Sequence, residues 1–369
     1  MERLEAVGAS DGWSAALTPS VLMFHTTLPA AGRKPGGVEV AVHRLANALV
    51  GVGVPITVAS LGDAPGDARY AHRKLFGGSA WLRDSRIGRL FVLPVLLNWL
   101  KRGEADVVHY HGDDWFTVRR PFASVRTLHG SALREAQRAT RLPRRLLQYL
   151  LFPLEGLSAR LATIGVGVGS DVAALHGLTR VIGNGFDPAV FHPGSKSDTP
   201  TLLYVGTWEG RKRGQWMYER FVNDIAPRHA GVTLHFVADE APPPHPRVVF
   251  TRFPDDAALA ALYRAAWVFV LPSMYEGFGI PYLEAMASGT AVVATPNTGA
   301  LDLLGNNEFG LLAVDGDFAR VTLELLTDAA KRCRLEEASI ERAADMTWDA
   351  VARAYAGVYA DALAMRAGS

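Results

Sequence analysis

Glu276 and Glu284 are separated by seven residues in EGFGIPYLE, a segment that follows the apolar run VFVLP. A strand leading into such a loop puts the loop at the strand's carboxyl end, where open α/β sheets bind ligands. Gly277 and Gly279 let the backbone approach a ligand closely. Pro281 suits the first turn of a helix, because its missing N–H has no helical partner there. The spacing therefore predicts a helix from near Ile280. Its free N–H groups would form an anion site suited to a pyrophosphate. Two carboxylates beside a phosphate repel it, so their fitting partners are hydroxyl groups, as on ribose or a hexose. The bland alternative is a surface glutamate and a helix glutamate at chance spacing.

Four other constellations stand out. In GTWEGRKRG, Arg211, Lys212 and Arg213 follow Gly206 and the apolar run TLLYV. Cations at a strand's carboxyl end can neutralise a diphosphate leaving group, or they form a solvated basic turn. Gly36 and Gly37 lie in a loop with Gly32 and Pro35, just before a helical pattern, where backbone could meet a phosphate or an acceptor. This is not a dinucleotide fingerprint, and no acidic residue is placed for a nicotinamide ribose. His109 and His111 in VVHYHGD, and His129 in RTLHG, follow predicted strands and could line a cleft. Two histidines at i, i+2 could bind a metal. No third ligand is apparent, so no metal site is expected. Finally, Arg134, Arg138, Arg141 and Arg145 are spaced for one helical face ahead of the apolar LLQYLLFPL. Such a face could lie on an anionic membrane surface or stay in solvent, with Pro143 breaking the helix.

These residues need strands and helices in alternation, and the pattern supplies them. Strands are predicted at 20–24, 56–59, 106–108, 124–128 and 162–166, with a helix over 38–50. The scheme repeats after Pro200: strands at 201–205, 232–237, 248–250, 268–271 and 291–294, with helices over 255–265 and 281–287. Alternation of this kind predicts parallel sheets covered by helices. The boundary falls between Gly183 and Pro200, where NGFDPAVFHPGSKSDTP is rich in turn formers and lacks periodicity. Trp348 to Met365 is helical in pattern.

Composition narrows the classes. The chain has 369 residues, enough for two cores, and 20% charged residues, which argues against disorder. A net charge of +1 argues against a nucleic-acid partner. The single Cys333 excludes an intrachain disulfide and a cysteine-rich zinc site, and fits a reducing compartment. Met1 to Ser20 lacks the basic start and apolar run of a signal peptide. The run Leu90 to Leu100 is about half the ~20 residues needed to cross a bilayer, and it contains Pro94. It reads as core or as an interfacial segment. The expected location is cytoplasmic, at the inner face of the membrane if the basic stripe is a contact.

With these pieces in place, the chain resembles glycosyltransferase family 4, the retaining enzymes of GT-B fold. The most specific element is EGFGIPYLEAMASGTAVVA, from Glu276 to Ala294. Gly36-Gly37, HYHG at His109 to Gly112, TLHG at Thr127 to Gly130 and NGFD at Asn184 to Asp187 support it. The resemblance implies two Rossmann-like domains whose parallel sheets face an inter-domain cleft. Residues 1–190 would form the acceptor side, 191–347 the nucleotide-sugar side, and 348–369 a helix crossing back.

The implied reaction moves a hexose from a nucleotide diphosphate sugar to a saccharide, lipid-linked or small-molecule acceptor, in cell-envelope polysaccharide or glycolipid synthesis. The resemblance assigns catalysis to His129, Glu276, Lys212 and Arg213. It assigns donor binding to Gly36, Gly37, Gly206, Arg211, Gly277, Phe278, Gly279, Ile280 and Glu284. Glu284 would hold the ribose hydroxyls, Glu276 the donor sugar, and His129 the sugar near its reacting carbon. No metal or other cofactor is implied, because side-chain cations face the diphosphate. One departure is Thr207, which stands where the family usually has arginine. Counting from Gly206 favours Lys212 and Arg213 over Arg211 for the diphosphate. Two other readings stay open, a GT-B-like nucleotide-sugar isomerase and an inactive binding protein.

Overall fold

A computed structural model describes residues 18–30, 36–103, 105–139 and 141–368. The N-terminal stretch 1–17, and Gly32 and Pro35 of the glycine loop, lie outside the described residues. The first sheet comprises β1 (Val21–Phe24), β2 (Ile56–Ser60), β3 (Ala71–Lys74), β4 (Val107–Tyr110), β5 (Ala123–Leu128), β6 (Ile164–Gly167) and β7 (Arg180–Val181), in the order β3-β2-β1-β4-β5-β6-β7. The second comprises β8 (Thr201–Val205), β9 (Thr233–Val237), β10 (Val248–Thr251), β11 (Val268–Leu271), β12 (Ala291–Ala294) and β13 (Leu311–Leu312), in the order β10-β9-β8-β11-β12-β13. All pairings are parallel. Each order reverses once, between β1 and β4 and between β8 and β11. A reversal of this kind opens a crevice at the carboxyl ends of the strands.

The central strands are buried along their whole length, as VLMF in β1, VFVL in β11 and AVVA in β12 show. Parallel sheets need such continuous apolar runs because helices cover both faces. In the first domain the two faces separate by the period of two along a strand. Val21 and Met23 join a cluster with Val42 and Leu45 of the helix Gly37–Gly51. Leu22 and Phe24 join another with Leu93 and Leu97. The second domain has one large cluster that includes Phe236, Phe269 and Tyr282.

The last helix, Trp348–Ala367, belongs to the first domain's core. Thr347 caps it by accepting the Ala350 N–H. Where the chain crosses over, Phe186 bridges to Thr347, with Phe186 N donating to the Met346 carbonyl and Trp348 N to the Phe186 carbonyl. Tyr355 and Tyr359 then pack with Val107 and Val125. Their hydroxyls reach Thr127 Oγ1 and His109 Nδ1, each at 2.8 Å.

The structure corrects one sequence expectation, the arginine stripe, and adds detail to two others. In the stretch after Gly183, Phe186 and Phe191 are buried where it runs along the domain junction. The four arginines do not share one helical face. Arg134 and Arg138 lie on the helix Ala132–Arg138, whereas Arg141 is the extended cap of a second helix, Leu142–Leu161, that carries Arg145. Pro143 forces the break, since it fits only a first turn. Arg134 is also committed to Asp171, 2.5 Å away. Finally, 90–100 is neither wholly core nor wholly surface. It forms short helical turns, Gly88–Val92, Leu93–Leu96 and Leu97–Trp99, with Leu93 and Leu97 buried and Phe91, Val95 and Trp99 exposed. No helix among the described residues is long and apolar enough to cross a membrane.

Candidate active site in the inter-domain cleft

The loop after β11 carries Glu276 into the cleft. Its Oε1 accepts from Ser273 Oγ at 2.7 Å and meets Arg211 Nη1 and Lys212 Nζ, each at 2.7 Å. Burial alone would raise the carboxyl's pKa, but the Lys212 and Arg211 cations outweigh it and hold it at about 2. Both cations come from the loop after β8, the neighbour of β11 across the reversal. Arg211 also donates to the Tyr275 carbonyl at 2.6 Å, tying the two loops together. At Gly206, a side chain would collide with the Tyr204 ring and approach Lys212 Cβ to 3.1 Å. The glycine lets Lys212 lie against the strand end.

The structure separates Arg213 from this group. Arg213 takes a left-handed conformation, forms a two-bond ion pair with Asp315 at 2.7 and 2.6 Å, and stacks on Trp216. Counting along the loop placed Arg213 beside Lys212. The short helical turn Gly210–Lys212 instead sends Arg211 to Glu276 and turns Arg213 outward. Thr207 also stays out of the site, since its hydroxyl donates to the Glu209 carbonyl.

The helix Ile280–Ala287 starts one residue before Pro281, with Gly279 as its cap at φ +101°. A side chain at Gly279 would be strained by that angle and would meet the Tyr282 ring. Ile280 is half-buried at the helix start, and Phe278 is buried against Gly183 and the second domain's core. Glu284 follows one turn in. Its Oε2 accepts from Tyr263 at 3.3 Å, and its Oε1 lies 3.7 Å from Arg44 Nη1. Burial pushes its pKa from 4.5 up to about 7, and Arg44 only partly opposes that. Arg44 also pairs with Asp256 at 2.5 Å, so this first-domain side chain bridges to two second-domain carboxylates.

From the first domain, His129 directly follows β5 and His111 directly follows β4. His111 Nδ1 lies 2.9 Å from His129 Nε2, so the two rings share one proton. The ring of His109 lies against that of His111. Burial lowers the pKa of His129 to about 3, and the neighbouring His25 and Arg126 add to the shift. His129 is therefore neutral at pH 7. The His129 loop touches the Glu276 loop directly. Ser131 N donates to Tyr275 Oη at 3.0 Å, and a side chain at Gly277 would sit 2.6 Å from the His129 carbonyl. Among the described residues, no group of three histidine, cysteine or acidic side chains has metal-holding geometry.

Gly36 and Gly37 stand at the start of the first helix. Gly36 caps the helix Gly37–Gly51, but its N–H donates to Glu39 Oε2 at 3.1 Å. The other Glu39 oxygen accepts from Thr27 at 2.6 Å. A phosphate reaching the Gly36 N–H would have to displace a carboxylate. A cavity of about 870 Å³ opens nearby, lined by His43, Arg44, Asp187, Asp256 and Trp348 among others. It adjoins the carboxylate cluster through Arg44.

Sequence reasoning missed Arg44, Tyr263, Ser273 and Tyr275. Arg44 had one visible signal, as a lone charge inside the apolar pattern VAVHRLANALV. The others sit beside motif residues and are assigned only by geometry.

A family model described as Glycosyltransferase Family 4 matches residues 35–190, and one described as Glycosyl transferases group 1 matches residues 199–328. D-inositol 3-phosphate glycosyltransferase of Stackebrandtia nassauensis is 38% identical over 112 residues, 30% of this chain and 25% of that protein. The namesake from Corynebacterium glutamicum is 39% identical over 110 residues, 29% of this chain and 26% of that protein. The matched stretch thus spans about a quarter of the length of these curated relatives. Among solved structures, sucrose-phosphate synthase from Thermosynechococcus elongatus aligns with a TM-score of 0.76 and 20% identity, covering 94% of this chain and 99% of that one. Anabaena HepE in complex with UDP and glucose aligns at 0.71 and 17% identity, covering 93% and 99%. WaaG, a glycosyltransferase involved in lipopolysaccharide biosynthesis, aligns at 0.69 and 18% identity, covering 92% and 99%.

Proposed function

The chain belongs to the group 1 and family 4 glycosyltransferases, and from that premise we propose that it moves a hexose from a nucleotide diphosphate sugar to an acceptor hydroxyl with retention at the anomeric carbon. The observation that carries the reading is the cluster of Glu276, Arg211 and Lys212 at the carboxyl end of β11, one helical turn from Glu284 and in contact with the His129 loop. Arg211 and Lys212 turn from Glu276 toward the donor diphosphate and stabilise the charge it gains as it leaves. Glu284 takes the ribose hydroxyls in place of Arg44. Glu276 and the backbone of Gly277 to Gly279 hold the sugar, and neutral His129 offers it a hydrogen bond. The bond from the anomeric carbon to the diphosphate breaks as the bond to the acceptor oxygen forms on the same face. The acceptor's proton passes to the departing phosphate oxygen.

No metal ion is needed in this scheme, because two side-chain cations already face the diphosphate. The acceptor is a saccharide, a lipid-linked sugar or a small molecule, reached from the first domain in the cytoplasm. Complexes with UDP and glucose in HepE support a nucleotide-sugar donor.

The test is thermal stabilisation by UDP, GDP, ADP and dTDP at matched concentration without metal. A nucleotide at 100 times its Kd adds about 2.7 kcal/mol. One nucleotide standing out supports the proposal and narrows the donor to its sugars. No stabilisation by any of them, with or without magnesium, overturns it.

A further inference from the structure

His111 and His129 stand directly after β4 and β5, which are neighbours in the first sheet. Their rings meet through His111 Nδ1 and His129 Nε2 at 2.9 Å. One hydrogen fits between two nitrogens, so one ring donates and the other accepts. A neutral imidazole carries a single N–H, so that choice also fixes the second nitrogen of each ring. If His111 donates, its Nε2 is a bare lone pair and His129 Nδ1 carries a hydrogen. If His129 donates, His111 Nε2 carries the hydrogen and His129 Nδ1 is bare.

The surroundings of His111 Nε2 decide between the two. That atom is buried and has no hydrogen-bond partner among the described residues. A hydrogen on it would be a buried donor with nothing to bond, which folded proteins avoid more strictly than an unpaired acceptor. His109 offers no relief. Its ring centroid lies 3.9 Å from that of His111, but its Nδ1 meets Tyr359 Oη and its Nε2 meets Thr127 Oγ1, each at 2.8 Å. His109 therefore braces the face of His111 and takes no part in its hydrogen bonding. His129 is only half-buried, so a hydrogen on its Nδ1 meets no such penalty.

We propose that His111 is a positioning residue, which donates its Nδ1 hydrogen to His129 Nε2 and so holds His129 as the Nδ1–H tautomer. Free histidine prefers its hydrogen on Nε2, so His129 without this neighbour reverts to the other form. The tautomer decides what His129 can bond. An Nδ1–H group donates to the lone pairs of a sugar oxygen, whereas a bare nitrogen repels them. This consequence for catalysis rests on the glycosyl-transfer reading, but the tautomer itself does not. The support reaches further back, through the His109 ring to Tyr359 of the last helix.

The experiment is proton–nitrogen correlation NMR of the full chain with isotope-labelled histidine, which separates Nδ1–H, Nε2–H and doubly protonated rings. Loss of one signal in His111→Phe and of another in His129→Gln assigns the two residues. The proposal expects both as Nδ1–H at neutral pH. His129 with its hydrogen on Nε2, or with two hydrogens, would overturn it, and the wild-type spectrum decides this even if a variant fails to fold. His111→Asn puts an amide N–H where Nδ1 stood, so it should keep His129 as Nδ1–H, whereas His111→Phe should release it. In transfer assays His111→Phe should lower kcat about tenfold while the donor KM changes less than about twofold. His111→Asn should recover most of that loss, and equal losses in the two variants would refute the positioning role. Expected tautomers without transfer from any nucleotide sugar would sink the transferase reading and leave the His111 assignment standing.

Discussion

Glu284 should make stability fall as pH rises, the reverse of what an ion-paired carboxylate does. Its pKa rises from 4.5 to about 7 on folding because burial disfavours the charged form more than Arg44 at 3.7 Å favours it. Below about pH 4.5 the carboxyl is protonated whether folded or not, and it costs nothing. Between there and about 7 the unfolded chain releases the proton while the native state keeps it, so stability declines. Above about 7 the loss is complete. A shift of this size amounts to about 3 kcal/mol. Glu284→Gln has similar shape and cannot ionise, and Arg44 keeps Asp256 as partner. The variant should therefore match the wild type near pH 4.5 and exceed it by up to about 3 kcal/mol near pH 8. Urea unfolding of both proteins at several pH values measures the difference, and terms common to both, such as Glu276, cancel. Parallel pH profiles would refute the burial argument. A difference that shrinks toward pH 8 would show that Arg44 holds the carboxylate ionised. The same variant should lose stabilisation by nucleotide, separating binding from folding.

Two further outcomes follow from the site. Arg211→Met should weaken nucleotide binding by about tenfold or more, whereas Arg213→Met should change it less than about twofold, because its partner Asp315 is exposed. Equal losses in calorimetric titrations would return Arg213 to the site. Transfer activity should also persist in excess EDTA, and loss restored by manganese would show that the cations of Arg211 and Lys212 are insufficient.

Most of the architecture was legible because buried parallel strands announce themselves as short apolar runs. β1, β8, β11 and β12 fall within a residue of expectation. Of the four edge strands, β10 was also expected, and the other three were not. AHRK in β3 has no apolar alternation, and β7 and β13 are two residues each. They pair because a neighbouring strand offers an open edge. Glu276 and Glu284 were readable from spacing because both belong to one loop and one helix. Choosing among Arg211, Lys212 and Arg213 was beyond counting, since a left-handed residue at 213 redirects the last of them. Arg44 lies 240 positions from Glu284, and only the closed arrangement of two sheets brings them together.

The last helix has a consequence for the order in which the protein is made. β1, β4 and β5 emerge from the ribosome before the second sheet, yet Tyr355 and Tyr359, which cover Val107 and Val125 and satisfy Thr127 and His109, emerge only after it. The second sheet draws its strands from one continuous stretch and can close first. The nascent first domain must wait with one face of its sheet bare, so its window of exposure to aggregation or to chaperones is set by translation of the other domain.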